Sequence, residues 1–251
     1  HEGKVLLLYD GQEMNETLYS TLQLGNHYPI ANIDRIEIIR GPGSALYGGY
    51  AELAVINIIT RKGGDVGGID VWGEYGQQRL DYGQRNIGAT YGQRFTGPLE
   101  GLQLSIDGMI GEGNRTDRTY RGDVDGKRVS FAHQAAQDPG FLDVGASYRG
   151  LDARFILDDF RTTSIDAYDE LLPTASNENF LGFYGELRYD WKLFDTITIT
   201  PRLQAKRQYP WNSLGSPSET DEIVFYNKVA DRYRGGVTIA WDALPTLSFL
   251  V

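Results

Sequence analysis

The sequence contains no cysteine and only three histidines among its 251 residues. Without cysteine there is no disulfide, no thiolate metal site and no cysteine nucleophile, and three histidines leave little for zinc sites or catalytic triads. His27 and His133 have no partner at a spacing typical of metal ligands. The sequence therefore indicates a protein that is not an enzyme, with no catalytic residue, no metal site and no cofactor.

Positive charge and long apolar runs are also scarce. The chain has 24 Lys and Arg against 34 Asp and Glu, a formal net charge of −10. Nucleic-acid-binding proteins usually carry a basic stripe, so we expect no nucleic-acid partner. No run of about 18 apolar residues is present, so the sequence predicts no membrane-spanning helix. Membrane-spanning β-strands stay possible, because only every second residue of such a strand faces lipid.

Glycine and aromatic residues are abundant, with 31 glycines and 12% aromatics, as in proteins built from many short strands and tight turns. From Ile69 onward, apolar and polar residues alternate with a period of two, the pattern of strands with one apolar face. Pro201 interrupts one of these segments and predicts a bulge or a lost ladder hydrogen bond. The pattern predicts nine strands, at 69–76, 86–95, 102–110, 141–149, 151–160, 181–191, 196–206 and 230–242, with the last beginning near Thr246.

The first sixty residues have a different pattern. The segments KVLLLYDG, IDRIEIIRG and AVINIITR are nearly continuous apolar runs, which suit strands covered on both faces. Leu18, Leu22 and Leu24 between them suggest a short helix. The glycine-rich segment KGGDVGG at 62–68 then breaks the pattern. We therefore expect a small α/β unit at residues 1–63 and a β-domain at residues 64–251.

The connections between the predicted strands alternate in length. Short turns fall at 96–101, 148–152, 193–196 and 243–246, and long polar connections lie between them, as at 114–140 and 208–228. Bacterial outer-membrane barrels have this asymmetry, whereas a soluble β-sandwich does not require it. The pattern favours a membrane barrel and leaves the sandwich open. Single-chain bacterial barrels have even strand counts, so nine strands indicate an incomplete barrel.

Two motifs then add a family resemblance. IDRIEIIRGPGSALYGG followed by VINIITRKGG resembles the end of the plug domain of TonB-dependent outer-membrane receptors, and VLLLYDGQEMN resembles the preceding strand and turn. Ala54 stands where family members commonly have glycine. The resemblance implies the C-terminal part of an α+β plug, followed by the first antiparallel transmembrane strands of a plugged barrel of about 22 strands. We therefore expect a fragment that lacks the first half of the plug, the Ton box and about thirteen strands.

The resemblance also implies a function. It suggests uptake of a scarce nutrient across the outer membrane of a Gram-negative bacterium, energised by a TonB-type inner-membrane partner. The expected ligand is a metal chelate such as a ferric siderophore, which makes iron uptake the leading prediction, with cobalamin, haem and oligosaccharides as alternatives. Outer-membrane lipid and lipopolysaccharide are further expected partners. Two other hypotheses stay open, a receptor-like docking subunit without transport and a soluble carbohydrate-binding β-protein.

Candidate site residues fall in two groups. The first is the plug motif, in which Arg40 would meet inward-facing acidic residues; its members are Glu37, Arg40, Gly41, Pro42, Gly43, Tyr47 and Gly48. The second consists of possible ligand contacts near the predicted outer loops 114–140, 161–178 and 208–228; its members are Asp166, Asp169, Tyr209 and Trp211. Solvated loop charge and an interfacial aromatic girdle are the alternative interpretations of this second group.

Overall fold

The computed structural model of the chain describes residues 2–41, 51–121, 126–167, 170–194, 196–213, 228–244 and 247–250. These residues form a four-stranded sheet, a ten-stranded sheet and a separate two-stranded hairpin. In these ranges, no helix has the length and apolar character needed to cross a membrane.

The small sheet is built from the apolar runs near the start of the chain. Its strands are β1 (Val5–Tyr9), β2 (Gln12–Glu13), β3 (Ile33–Arg40) and β4 (Ala54–Thr60). They are arranged in the order β2-β1-β4-β3, with β1 parallel to β4 and the other pairs antiparallel. A tight turn joins β1 to β2 through Asp10 and Gly11, both with positive φ. β1 and β4 are central, as their continuous apolar runs predict, whereas β3 is an exposed edge strand.

The segment that follows β2, which we term loop 14–29, is irregular, so the helix predicted from its leucines is wrong. Two polar side chains capture the backbone groups that a helix would use. The Asn15 side chain donates to the Ser20 carbonyl at 3.3 Å, and its contacts with the Leu7 N–H and the Val5 carbonyl tie the loop to β1. The Glu16 carboxylate accepts from the Leu18 N–H at 2.8 Å. Such local hydrogen bonds compete with helix formation.

All nine strands predicted from the alternating pattern are present in the large sheet, with one short strand in addition. In chain order the remaining strands are β5 (Gly68–Gln77), β6 (Tyr82–Arg94), β7 (Gln103–Gly113), β8 (Thr119–Arg121), β9 (Arg128–Ser130), β10 (Gln137–Tyr148), β11 (Leu151–Ala167), β12 (Glu170–Tyr189), β13 (Trp191–Leu193), β14 (Ile197–Ser213), β15 (Ala230–Leu244) and β16 (Leu247–Leu250). The large sheet runs β16-β15-β14-β12-β11-β10-β7-β6-β5, with β13 beside β14, while β8 and β9 form the separate hairpin. Within the described ranges the large sheet is open, with β5 and β16 at its edges.

Two strands are longer than the sequence pattern indicates. β11 has 17 residues and β12 has 20, whereas a tilted strand crosses a bilayer with about 9–11. The predicted outer loop at 161–178 is therefore wrong for its described residues, which continue both strands as one projecting hairpin. The register is continuous through Pro201, so there is no bulge. Pro201 instead lies between the part of β14 that pairs with β12 and the part that pairs with β13, where a missing N–H is tolerated.

The two faces of the large sheet differ in chemistry because side chains alternate along each strand. One face exposes aliphatic and aromatic side chains, including Ile69, Val71, Ile87, Ile106, Phe155, Leu187, Leu203, Val237 and Ile239. The other face buries polar side chains, including Asn86, Thr90, Asp107, Asp143, Asp158, Lys206 and Gln208. The small sheet and loop 14–29 contact this polar face, so we call it the inner face.

A short helix, α1 (Gly63–Val66), connects the small sheet to β5. Gly67 ends it in the left-handed conformation, with φ of 60°. Gly63 lies so close to β7 that a Cβ atom there would be 2.2 Å from the Leu104 carbonyl oxygen. The connection is therefore pressed against the large sheet near its short-turn end.

Candidate functional site

The candidate site is the interface between the small sheet and the inner face of the large sheet. Its centre is apolar and is shared by the two sheets. The members from the small sheet and loop 14–29 are Leu7, Tyr9, Met14 and Ile58, and those from the large sheet are Phe141, Ile156 and Tyr184. Charged side chains surround this cluster and form ion pairs that join the two sheets.

Arg154 of β11 joins the large sheet to the β1–β2 turn. Its guanidinium donates to Asp143 of β10, with Nε 2.8 Å from Oδ1, and lies 2.7 Å from the carboxylate of Asp10. Asp10 also accepts from the Thr60 N–H at 2.9 Å. The same guanidinium lies 5.1 Å from the centre of the Tyr9 ring. Burial, reinforced by the Asp143 carboxylate, raises the pKa of Tyr9 well above its ordinary value, so this phenol stays neutral.

Glu13 of β2 is surrounded by three cationic side chains of the large sheet. Lys206 of β14 lies 3.5 Å from one of its oxygens, and Arg234 of β15 lies 3.5 Å from the other. Arg232 of β15 also donates to Glu13, and Lys206 donates to the Asn15 carbonyl. Glu13 and Lys206 are both buried, so each needs the other's charge.

Loop 14–29 is held by three further polar contacts. Thr17 binds the Gln208 side-chain oxygen through its N–H at 3.0 Å and its hydroxyl at 2.8 Å. Asn26 and Asn86 exchange amide hydrogen bonds at 2.6 and 3.1 Å. His27 contacts Asp158 across the interface. These partners lie toward the end of the large sheet at which β7 and β14 lead into long connections, whereas α1 lies near the short turns at the opposite end. Loop 14–29 therefore faces the long-connection end.

Aromatic side chains form a small surface at this end. The Trp211 ring lies edge-on to Tyr19 at 6.2 Å and to Phe180 at 4.9 Å. Trp211 has a φ of 55°, and the pairing of β12 with β14 shifts register beside it, which turns this residue toward loop 14–29. Tyr209 keeps the regular alternation and lies on the outer face with Arg207.

The structure places the remaining predicted site residues apart from this interface. Glu37 lies on the exposed strand β3 and accepts from Arg35 at 2.9 Å. Arg40 ends β3, and the described residues supply no acidic partner for it. Gly41 has a φ of 106° and donates its N–H to the Leu53 carbonyl at 2.9 Å.

Other predicted residues lie in or beside segments that are not described. Asp166 lies on β11 opposite Leu171. The residues outside the described ranges are Pro42, Gly43, Tyr47, Gly48 and Asp169.

Sequence reasoning did not identify the charged residues that join the two sheets. The alternating pattern does assign Lys206 and Arg154 to the polar face of their strands. That pattern does not indicate which residue of the small sheet they contact. Within the described part of the chain, no group of three or more His, Asp and Glu side chains is arranged to hold a metal ion.

Comparison with known proteins agrees with this architecture. Residues 2–52 match the family model described as TonB-dependent Receptor Plug Domain. Residues 2–52 therefore form a TonB-dependent receptor plug domain. We therefore call the small sheet with loop 14–29 the plug, and the large sheet the barrel sheet.

A curated relative supports the same assignment. A segment of 60 residues, 24% of this chain, is 43% identical to the vitamin B12 transporter BtuB of Vibrio vulnificus (strain CMCP6) and covers 10% of that protein. The match therefore spans only a small part of the relative. This relative is a transporter rather than an enzyme, as the sequence led us to expect for this chain.

Solved structures show the fold of the barrel sheet. A mutant ferric enterobactin receptor, PfeA, of Pseudomonas aeruginosa matches with a TM-score of 0.55 and 17% identity, over 95% of this chain and 38% of that one. The FrpB iron transporter of Neisseria meningitidis matches with a TM-score of 0.61 and 12% identity, over 99% and 56%. The predicted plug followed by antiparallel barrel strands is therefore confirmed.

These receptors are outer-membrane β-barrel proteins, and the bacterial outer membrane is the compartment of this chain. The exposed apolar face of the barrel sheet is then the face that meets lipid, and the inner face lines the lumen. In such barrels the short turns lie in the periplasm and the long connections outside the cell. Loop 14–29 and Trp211 therefore lie toward the extracellular end of the lumen.

Proposed function

We propose that the receptor containing this chain takes up a scarce nutrient such as a ferric siderophore, energised by a TonB-type partner. The observation that carries the proposal is the way the plug is held, by ionic and polar contacts around a small apolar centre. Vitamin B12 and enterobactin appear in the names of proteins to which this chain is similar, which supports a bulky chelate as the class of ligand.

The ionic contacts suit a plug that must loosen and return. Breaking an apolar interface exposes all of its surface to water, whereas each polar contact can be exchanged for hydrogen bonds to water at a small net cost. The contacts of Arg154 and Glu13 can therefore be replaced one at a time as the partner pulls from the periplasm.

We further propose a plug at residues 1–63 and a barrel at residues 64–251. The glycine-rich helix α1 begins at this boundary and connects the last plug strand to β5. Within the plug, we propose that the motif around Arg40 takes part in gating. Glu37 and Arg40 are exposed on β3, so both side chains are accessible to a partner. The other members of the proposed gating motif are Gly41, Pro42, Gly43, Tyr47 and Gly48.

The proposed ligand surface lies at the extracellular end of the lumen. Trp211 and the exposed ring of Tyr19 form its centre, and the hairpin of β11 and β12, on which Asp166 lies, stands beside the same opening. Asp169, which lies outside the described residues, stays a candidate from the sequence. Aromatic rings offer wide, rigid contact area for a chelate. Tyr209 lies on the outer face of β14, so the proposed surface does not include it.

The test uses the full-length receptor in a bacterium without other nutrient receptors. Uptake of ferric siderophores, cobalamin and haem is measured for the wild type, for W211A and for the control Y209A, which removes an aromatic ring from the opposite face. We expect one ligand class to be taken up only with the energising partner present, and W211A to weaken its binding on the order of tenfold or more. Equal binding by W211A and Y209A would exclude the aromatic surface. Failure to take up any ligand, with the plug still in place, would favour a docking subunit.

A further inference from the structure

His27 of the plug is buried against the barrel sheet, with 3% of its surface exposed. Its Nε2 lies 2.7 Å from Oδ1 of Asp158 on β11, and its Nδ1 lies 2.5 Å from the carbonyl oxygen of Gln23. The ring therefore joins loop 14–29 to the barrel wall through one nitrogen and braces the loop itself through the other.

Both neighbours of the imidazole are hydrogen-bond acceptors. A backbone carbonyl only accepts, and an ionised carboxylate only accepts. A neutral imidazole carries a single N–H and can satisfy one of these neighbours, whereas an imidazolium donates to both. An imidazolium beside an ionised Asp158 therefore satisfies both acceptors at once.

The surroundings stabilise a cation in this position. The rings of Tyr28 and Phe160 stack on the two sides of the imidazole, each with its centre 4.1 Å away and tilted by 23° and 16°. A cation between two aromatic faces is attracted by both. Asp158, itself buried, supplies the opposite charge.

Other titratable groups near the ring are already engaged or neutral. The Glu16 carboxylate is held by backbone N–H groups of its own loop, and burial raises the pKa of Tyr28 well above its ordinary value. On β12, the Tyr184 hydroxyl accepts from Gln208 at 2.8 Å. Lys206 of β14 lies 5.9 Å from the Tyr184 ring and is bound to Glu13 and Asn15. Among the described residues, Asp158 is therefore the carboxylate that contacts His27.

We propose that His27 is a proton-dependent positioning residue of the plug. As an imidazolium it holds loop 14–29 on Asp158 of the barrel wall, and loss of its proton leaves a lone pair facing an acceptor and releases the loop. Loss of either charge removes the charge-assisted hydrogen bond between the two groups. This device does not depend on which nutrient the receptor takes.

Space beside the ring allows water to replace the broken contact. A cavity of about 20 Å³ is bordered by Gln23, His27, Asp158 and neighbouring residues, which is room for about one water molecule. Release of the loop therefore does not require a large movement to hydrate the two groups.

The first experiment measures the protonation state directly. The full-length receptor is purified in detergent with its histidines labelled with nitrogen-15, and the His27 signals are assigned by their loss in H27Q. We expect two similar ring-nitrogen shifts with a proton on each nitrogen at neutral pH. A neutral tautomer, with two widely separated shifts, would overturn the proposal.

The second experiment measures amide hydrogen exchange in loop 14–29 from mildly acidic to alkaline pH, after correction for intrinsic exchange. In the wild type we expect the rate to rise by about tenfold with pH, as a charge-assisted hydrogen bond is lost. D158N should remove this dependence, because the new amide can donate to a neutral Nε2 while Nδ1–H donates to Gln23. A wild type without the rise, or D158N with an unchanged rise, would contradict the proposal.

The matched control is H133Q. His133 also lies 2.7 Å from a carboxylate, that of Asp81, but its side chain is 76% exposed. It lies in the connection between β9 and β10. We expect this variant to keep the full pH dependence of loop 14–29. If H133Q abolished it as well, the effect would belong to the barrel as a whole and the assignment to His27 would be wrong.

Discussion

The outer and inner faces of the barrel sheet are made from alternate residues of the same strands and have opposite chemistry. On β14 and β15, Leu203 and Val237 are exposed on the outer face, whereas Lys206 is buried on the inner face beside Glu13. A water-soluble sandwich would bury the apolar set and expose the charged one. In this sheet the apolar side chains face lipid instead of a protein core, and the polar side chains face the plug instead of water.

Across the strands, the inner face changes from polar to apolar and then to charged side chains. Directly opposed residues form a row across the strands, from Thr90 and Asp107 through Asp143 to Ile156, and then through Tyr184 to Lys206. The apolar middle of the row packs against the plug core, and charged groups lie on both sides. The plug is therefore centred by packing and fixed in register by charge.

Among the substitutions that test the difference between the two faces, removal of the cation at Arg154 should have the largest effect on stability. In R154A the buried carboxylates of Asp10 and Asp143 lose their shared partner, and we expect the free energy of unfolding of the refolded receptor to fall by about 3–5 kcal/mol. Chemical denaturation in detergent measures the change. R149A is the control, because Arg149 stacks on Tyr148 at the short-turn end and does not join the two sheets. Equal losses in the two variants would contradict an ionic role for the interface.

A charge on the lipid-facing side should have the next largest effect. V237R places a guanidinium in the apolar band, and we expect a loss of about 2–4 kcal/mol in the free energy of folding into a bilayer. T238R is the matched control, since the neighbouring residue lies on the inner face of the same strand. The assignment of the two faces would be reversed if T238R were the more damaging change in folding titrations with lipid vesicles.

The smallest effect should come from a single neutral contact of loop 14–29. T17V removes the hydroxyl hydrogen bond to Gln208 but keeps the backbone N–H contact, so we expect a loss of about 0.5–1.5 kcal/mol in local stability. Hydrogen exchange of loop 14–29 detects such a change. T163V, which removes an exposed contact with Asn177, should leave the loop unaffected. Unchanged exchange in T17V would mean that this contact does not hold the loop.

Local patterns in the sequence predicted the strands because alternation with a period of two depends only on neighbouring residues. The continuous apolar runs of β1 and β4 likewise indicated central strands. The helix suggested by Leu18, Leu22 and Leu24 failed because Asn15 and Glu16 bind the backbone of the loop. The ends of β11 and β12 were missed since a projecting hairpin satisfies its backbone hydrogen bonds without an apolar face.

The sequence by itself therefore determined the strands, their apolar face and the resemblance to a receptor plug. Only the tertiary structure decided which charges meet. Glu13 and Lys206 are 193 positions apart, and Arg154 reaches Asp10 across 144, separations over which no local pattern acts. With 34 acidic and 24 basic residues many pairings are possible, and the packing of the plug on the inner face selects among them. Burial then gives the selected pairs their energetic weight, because an unpaired charge is costly only where water is excluded.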